Sequence, residues 1–460
     1  MIDVEGALLE TDLLWEGLAH LAFARPSGLV RALGGGSWRR AALDSRIRRL
    51  ADLDLERLPL NAGVEELIRR ARRADRRVLL LSRVLGERAE TLVRRVGADG
   101  LVEVEDDSAA DAESFLARIR ARTGSFDFVG GDGWGIPLCS AARRVHLVEP
   151  DESLRASARE AGADASVVSN GRRPIASPLL RALRPHQWVK NGLLLLPILA
   201  AHLRWDLALL ADVVTGLASF SLLASAVYIA NDLADLRYDR RHPSKRHRPL
   251  AAGDLSIPAG AAAMVVLAAT SALLALRLPD AFAAALAAYL VVNVGYSWGL
   301  KRLLVLDVIL LAALYTVRVV AGAALAQIEL TSWFLAFSVF LFLSLALLKR
   351  VVELRAGGTE ASAGRSYRTS DLPVLQAAGP SAGVMSALVY CLYITGPVRG
   401  LYDDPELLWL GLPVLLYWIV RVWILALRGE VDEDPVVFVA GDPGSYLSMA
   451  AFLLVVFAAS

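Results

Sequence analysis

The chain has 460 residues, 55% of them apolar yet 21% charged, with a mean hydropathy of +0.46. That mean hydropathy excludes an ordinary soluble protein, and the accompanying charge implies that apolar and charged residues segregate along the chain. The net charge of +1 says little by itself, and no nucleic-acid partner is expected. Cys139 and Cys391 fall in different segments and point to neither a disulfide framework nor a metal site.

Residues 1–189 are rich in Arg, Asp and Glu and hold no apolar run long enough to cross a bilayer. Asp3, Glu5, Glu10 and Asp12 interrupt any early apolar core, so no secretory signal is expected. Short apolar runs alternate with helical stretches over residues 1–170, the pattern of an α/β, Rossmann-like domain. Ile2–Leu8, Val78–Ser82 and Phe126–Asp132 read as strands that end in polar residues. Their order resembles that of haloacid dehalogenase-like phosphatases, whose first motif is D-x-D-G-T-L. Asp3 stands where that family has its nucleophile, but Glu5 replaces the acid-base Asp and Ala7 the Thr. Ser82 matches the phosphate-binding hydroxyl, and Asp132 matches one metal ligand, its second acid being replaced by Gly135 or Ile136. No Lys precedes residue 190, so the family's catalytic lysine is missing and the resemblance implies a pseudophosphatase. Residues 171–183 read as a linker to a membrane domain over 184–460.

From about residue 190, apolar stretches of roughly 18–22 residues recur, the length a helix needs to span ~30 Å of hydrocarbon. Nine spans are expected, near 190–204, 208–230, 257–276, 280–299, 305–326, 332–348, 381–399, 406–427 and 443–459. The loops after the even-numbered spans hold Arg237 to Arg248, Lys301–Arg302, Lys349 to Arg368 and Arg428. The alternate loops hold only Arg204, Arg277 and Arg399. The asymmetry places the basic loops and the N-terminal domain in the cytoplasm and the C-terminus outside. The chain has only four lysines, Lys190, Lys245, Lys301 and Lys349, and all fall at expected cytoplasmic ends of spans. They serve either as positive-inside anchors or as the rim of one phosphate-binding mouth.

The most informative stretch runs from Asn231 to Leu250. Asp232, Asp235 and Asp239 are spaced i, i+3, i+7, which places three carboxylates on one helical face. Such a face repels itself unless a cation sits within it, and an all-oxygen ligand set suits Mg²⁺ shared with substrate phosphates. Six Lys or Arg follow within 237–248, among them Lys245, Arg246 and Arg248, and would bind the remaining phosphate oxygens. The pattern N-D-x-x-D-x-x-x-D, followed by H-P-x-K-R-x-R-P-L-A, resembles the first Asp-rich motif of the UbiA prenyltransferase superfamily. That resemblance covers roughly 180–460 and implies that Asp232, Asp235 and Asp239 hold Mg²⁺ and diphosphate, supported by Asn231.

Aromatic prenyltransferases of that superfamily bear a second D-x-x-x-D motif. Here the matching region, Tyr296 to Asp307, keeps one carboxylate, with Lys301 and Arg302 ahead of it and Leu at 311. It resembles instead the polyprenyl-phosphate phosphoribosyltransferase branch, as do Arg184 to Asn191, with Lys190, and the segment Lys349-Arg350 to Glu353 with Arg365 to Arg368. The resemblance implies a bacterial cytoplasmic-membrane enzyme moving phosphoribosyl from 5-phosphoribosyl diphosphate to polyprenyl phosphate. Lys190, Lys245, Arg246, Lys301 and Arg302 are then candidates for the 5-phosphate and lipid phosphate, and Asp307 for metal or a ribose hydroxyl. Arg318 lies three helical turns after Asp307, about 16 Å deeper; a cation at that depth is expected to line a polar cavity. Arg421 carries the same reading. Two alternatives stay open: a prenyltransferase joining a prenyl diphosphate to an aromatic or other acceptor, and a non-catalytic lipid-phosphate scaffold.

Overall fold

The computed structural model describes residues 1–34, 43, 46–47, 50–82, 85–103, 112–131, 136–150, 152–160, 164–168, 176–201, 206–357, 366–396, 402–431 and 434–459. Asp132, Arg204, Arg365 and Arg399 lie outside the described residues, as do positions 171–175 of the expected linker. The remainder of that linker is helical, Ala176–Leu183. The chain divides into two compact units, Met1–Leu183 with Ile229–Ala263, and Arg184–Tyr228 with Met264–Ser460.

The first unit is built on a parallel sheet. Its strands are β1 (Ile2–Asp3), β2 (Leu79–Ser82), β3 (Gly100–Glu103), β4 (Asp127–Gly130), β5 (Arg144–Val148) and β6 (Asp164–Val168). They lie in the order β3-β2-β1-β4-β5-β6, with Asp3 level with Leu81 and Ile2 flanked by Leu80 and Val129. Helices cover a parallel sheet on both faces, so its central strands read as continuous apolar runs, and Leu-Leu-Leu of β2 is such a run. Ile2, Val4, Leu8, Val64, Ile68, Leu80 and Leu92 form the core beneath it. The strand order reverses at β1, the switch point at which doubly wound sheets open a crevice beyond their carboxyl ends. Asp3 ends β1 there, fully buried, and Ser82 ends β2.

Seven helices are long and apolar enough to cross a membrane among the described residues, all beyond residue 206. In chain order they begin with Leu207–Ala234, Ile257–Ala275, Asp280–Trp298 and Leu306–Leu325. Ser332–Gly357, Leu372–Thr395 and Gly411–Arg428 complete the set. The expected first span is not one continuous α-helix. Pro185–Leu194 winds as 3₁₀ and only Leu195–Ala200 is α-helical. Pro197 explains the break: it donates no amide hydrogen bond, and its ring crowds the carbonyl one turn earlier. The expected ninth span is a helix of 17 residues, Pro443–Ala459. Within the second unit, Val308, Tyr315, Val319, Phe342, Val351, Ile419 and Trp423 form one core. Gly322 lets the Leu306–Leu325 helix approach the 3₁₀ segment backbone to backbone, since a Cβ there would lie 1.9 Å from the Leu194 carbonyl oxygen.

Candidate functional site

The acidic motif belongs to the first unit. Asp232 lies in the last turn of Leu207–Ala234, and the helix is interrupted at Asp235 before resuming over Leu236–Asp239. The backbone hydrogen bonds nevertheless continue through it, the Asp235 amide donating to the Asn231 carbonyl at 2.9 Å and the Asp239 amide to the Asp235 carbonyl at 2.8 Å. Asp232 and Asp239 are buried while Asp235 and Asn231 are half-buried. Arg248 joins the two buried acids through one atom, donating from Nη1 to Asp232 Oδ1 at 3.1 Å and to Asp239 Oδ2 at 2.7 Å. Burial pushes the Asp239 carboxyl up to about 6, with Arg248 opposing and Asp232 reinforcing the rise. Lys245 is half-buried nearby in sequence and Arg246 is exposed. Among the described residues, no three His, Cys, Asp or Glu side chains stand close enough to hold a metal ion alone. Two carboxylates converging on one cationic atom nevertheless fit Mg²⁺, which takes one or two carboxylates and completes its shell with water and substrate phosphates.

The second unit holds a buried basic cluster. Lys190 Nζ donates to Asp434 Oδ2 at 2.5 Å and Lys349 Nζ donates to the same oxygen at 2.9 Å. The other oxygen of Asp434 caps the short helix Pro435–Val439, accepting from the Val436 and Val437 amides. Burial drives the Lys190 ammonium down to about 8, and Lys349 and Arg318 add repulsion that Asp434 only partly offsets. Burial also opposes the Asp434 charge, but Lys349 and Lys190 together outweigh it and hold the carboxyl well below its usual range. Arg318 is 4% exposed. Its Nε donates to Asn191 Oδ1 at 3.1 Å, Nη1 to the Leu314 carbonyl at 2.6 Å and Nη2 to Tyr289 Oη at 3.2 Å. The guanidinium also lies over the rings of Phe220 and Tyr289, at 5.3 and 4.8 Å. Asn191 is fixed in turn by donating to Ser221 Oγ at 2.9 Å.

A second network in this unit consumes several expected substrate ligands. Arg350, 1% exposed, donates from Nε to Asp307 Oδ2 at 2.5 Å, from Nη2 to Tyr296 Oη at 3.0 Å and from Nη1 to Glu353. Tyr367 Oη donates to the other Asp307 oxygen at 2.7 Å and accepts from the Val305 amide at 3.1 Å. Both Asp307 oxygens are thus engaged inside the protein, and the carboxylate is fully buried. Val305, β-branched, is held at φ 68°, a backbone conformation that costs about 1–3 kcal/mol and that the Tyr367 contact helps maintain. Lys301 is half-buried and Arg302 exposed. Arg421 forms a bidentate pair with Asp442, at 2.5 and 3.0 Å, and joins neither cluster through a hydrogen bond. In the first unit Ser82 Oγ donates to Glu5 Oε1 at 2.5 Å. The sequence reading missed Asp434 and Tyr367. A trace of Asp434 is present in Asp434-Pro435, a helix-start signature, but nothing local pairs it with lysines 244 and 85 residues away.

The sequence profile of the UbiA prenyltransferase family matches residues 193–454. This chain belongs to that family. It is a multi-pass intramembrane transferase of the UbiA type. An uncharacterized protein of Sinorhizobium fredii, y4nM, is 32% identical over 96% of this chain and 87% of its own length. The nodulation protein NoeC of Azorhizobium caulinodans is 36% identical over 59% of this chain and 90% of its own. Decaprenyl-phosphate phosphoribosyltransferase of Mycobacterium tuberculosis is 37% identical over 41% of this UbiA-family chain, a match spanning 64% of the mycobacterial enzyme. Among solved structures, a UbiA homolog from Archaeoglobus fulgidus bound to GPP and Mg²⁺ is 17% identical, with TM-score 0.49, over 61% of this chain and 99% of the homolog.

Proposed function

We propose that the chain transfers phosphoribosyl from 5-phosphoribosyl diphosphate to a polyprenyl phosphate. The acceptor phosphate oxygen bonds to the anomeric carbon as the bond from that carbon to the diphosphate breaks, and the electron pair leaves on diphosphate. The observation that carries the reading is the gathering of Lys190 and Lys349 on the single carboxylate of Asp434, with the buried Arg318 guanidinium in the same unit. Lys190, Lys349 and Arg318 have only Asp434 as a hydrogen-bonded carboxylate among the described residues. Buried cations in excess over carboxylates are costly in a membrane protein unless an anionic ligand completes them. A donor with three phosphate groups and an acceptor with one supply such anions, whereas a prenyl diphosphate with a neutral acceptor supplies fewer. The likeness to decaprenyl-phosphate phosphoribosyltransferases supports the same reading.

In this reading Asp232, Asp235 and Asp239 hold Mg²⁺ against the diphosphate. Bound there, the ion supplies Lewis-acid stabilisation of the departing negative charge. Arg248 is positioned to leave its carboxylates for phosphate oxygens, and Lys245 and Arg246 extend that basic rim. Lys190, Lys349 and Arg318 supply largely buried positive charge for a phosphate group. No strong general base is required, because the acceptor is already an anion. Arg350 and Asp307 act on each other, keeping Tyr296 and Tyr367 in place. The basic loops and N-terminal unit are assigned to the cytoplasmic side of a bacterial membrane.

We read the N-terminal unit as a haloacid dehalogenase-like pseudophosphatase. Its parallel strand order supports that fold, and the hydrogen bond that Ser82 donates to Glu5, which stands in place of the acid-base Asp, supports a site without turnover. The decisive experiment supplies purified full-length protein in nanodiscs with Mg²⁺ and two labelled donors in turn. Label from phosphoribosyl diphosphate is expected in the polyprenyl phosphate fraction. Transfer only from a prenyl diphosphate to an aromatic acid would overturn the proposal. Asp235→Ala is expected to lower phosphoribosyl transfer by at least about 10²-fold; full activity in that variant would refute the metal assignment.

A further inference from the structure

The segment that follows Asp239 is gripped by the α/β unit. Arg240 is bidentate to Glu16, with Nη2 to Oε1 at 2.6 Å and Nη1 to Oε2 at 3.0 Å. The pair is almost fully buried, the two side chains being 7% and 5% exposed. Thr11 Oγ1 donates to Glu16 Oε1 at 2.6 Å and so fixes the carboxylate, while Arg240 Nε donates to the Ala251 carbonyl at 3.1 Å. One guanidinium thus ties the residue after Asp239 to the turn after Arg248, with Glu16 as its anchor. Arg241 repeats the arrangement nearer the surface, donating from Nε and Nη2 to Asp54 Oδ2 at 3.2 and 2.5 Å. A third contact is steric. Gly253, at φ 82°, packs so closely on the α/β residues that a Cβ would lie 2.9 Å from Glu10 and 3.1 Å from Pro59.

We propose that Glu16 is a positioning residue for the transferase: through Arg240 it sets the separation of Asp239 from Asp232 and the reach of Arg248. This rests on the reading of Asp232, Asp235 and Asp239 as the metal–diphosphate site, and it gives the N-terminal unit a function that its degenerate phosphatase motifs do not. Bidentate Arg–carboxylate geometry is rigid and directional, which suits it to fixing a loop rather than merely attracting it. Glu16 lies on the Leu13–Ala24 helix, whose start is fixed by Asp12 accepting from the Leu14 amide at 2.8 Å, so the anchor is itself held.

The test uses the full-length protein and measures Mn²⁺ affinity by electron paramagnetic resonance with inorganic diphosphate present, a readout that needs no sugar donor. Glu16→Gln keeps the side chain's shape and removes its charge. It leaves Arg240 buried without its carboxylate, so the melting temperature is expected to fall. Mn²⁺ binding, measured on folded protein well below that temperature, is expected to weaken by about tenfold or more, a change that lost stability alone would not give. Glu66→Gln, on an exposed helix pair with Arg69 and Arg70, is expected to bind as wild type. Wild-type affinity in Glu16→Gln overturns the proposal. If Glu16→Gln fails to fold, Arg240→Lys and Thr11→Val, which remove the fork and the orienting hydroxyl singly, are read instead, and wild-type affinity in both overturns it. Absence of Mn²⁺–diphosphate binding in the wild type would instead refute the metal-site reading itself.

Discussion

Replacing Asp434 by Asn separates charge from shape at the centre of the basic cluster. The amide keeps an oxygen for the Val436 and Val437 amides, so the cap of Pro435–Val439 survives. What disappears is the negative charge that Lys190 and Lys349 share at 2.5 and 2.9 Å. At an effective dielectric constant near 20, a unit charge pair at ~3 Å is worth roughly 5 kcal/mol. A third of that moves the Lys190 equilibrium by more than about one pK unit. In the wild type the ammonium is already down at about 8, so phosphate-dependent transfer is expected to hold below that pH and to fall as pH rises through it. In Asp434→Asn the alkaline limb moves towards lower pH, into the neutral range. Stability responds with the opposite sign. A lysine whose folded pKa lies below its unfolded one weakens the fold at neutral pH, and that penalty is relieved as pH rises from about 8 towards 10.5. The assay is the pH profile of phosphoribosyl transfer in nanodiscs, with thermal unfolding recorded across the same range. An alkaline limb identical in the variant and the wild type would refute the coupling of Lys190 to Asp434.

Arg318→Met is expected to lower kcat/KM by up to about 10³-fold, the value of one cation–phosphate contact at ~4 Å and an effective dielectric constant near 20. Its melting temperature is expected to fall as well, because Asn191 Oδ1 and Tyr289 Oη lose a buried donor; kcat/KM retained in the folded variant would contradict the assignment. Asp307→Ala is expected to cost stability. It leaves Arg350 buried beside Tyr296 and Glu353 without its Asp307 partner, a loss of about 3–5 kcal/mol that denaturant titration would register.

Local sequence carried the architecture where local physics decides it. Apolar runs of membrane length gave seven helices, and Leu-Leu-Leu gave a buried parallel strand, because length and periodicity act within one segment. The first expected span is not among the seven: its described part divides into a 3₁₀ and a short α segment, and hydropathy is blind to Pro197, whose effect is on the backbone ladder. The i, i+7 spacing of Asp232 and Asp239 did place two carboxylates within reach of one Arg248 atom, because the turn at Asp235 keeps the helical hydrogen bonds on either side. Arg318 was marked by its depth alone, and it is buried with polar and aromatic partners. The roles of Asp434, Tyr367 and Glu16 were invisible because each depends on a partner at least 60 residues away, which no periodicity encodes.

The first unit is assembled from two stretches of chain, residues 1–183 and 229–263, which are separate in sequence and joined in space. A truncation that begins the protein at residue 184 would therefore not trim a free accessory. It would strip Glu16 and Asp54 from Arg240 and Arg241, and uncover the tight packing at Gly253. The two arginines that directly follow Asp239 in the chain would then lack their own carboxylates, free to compete for the acids with Arg248 or a metal. Inactivity of such a fragment would report a rewired acidic loop rather than a missing regulator. Point substitutions that leave both stretches in place are the cleaner instrument.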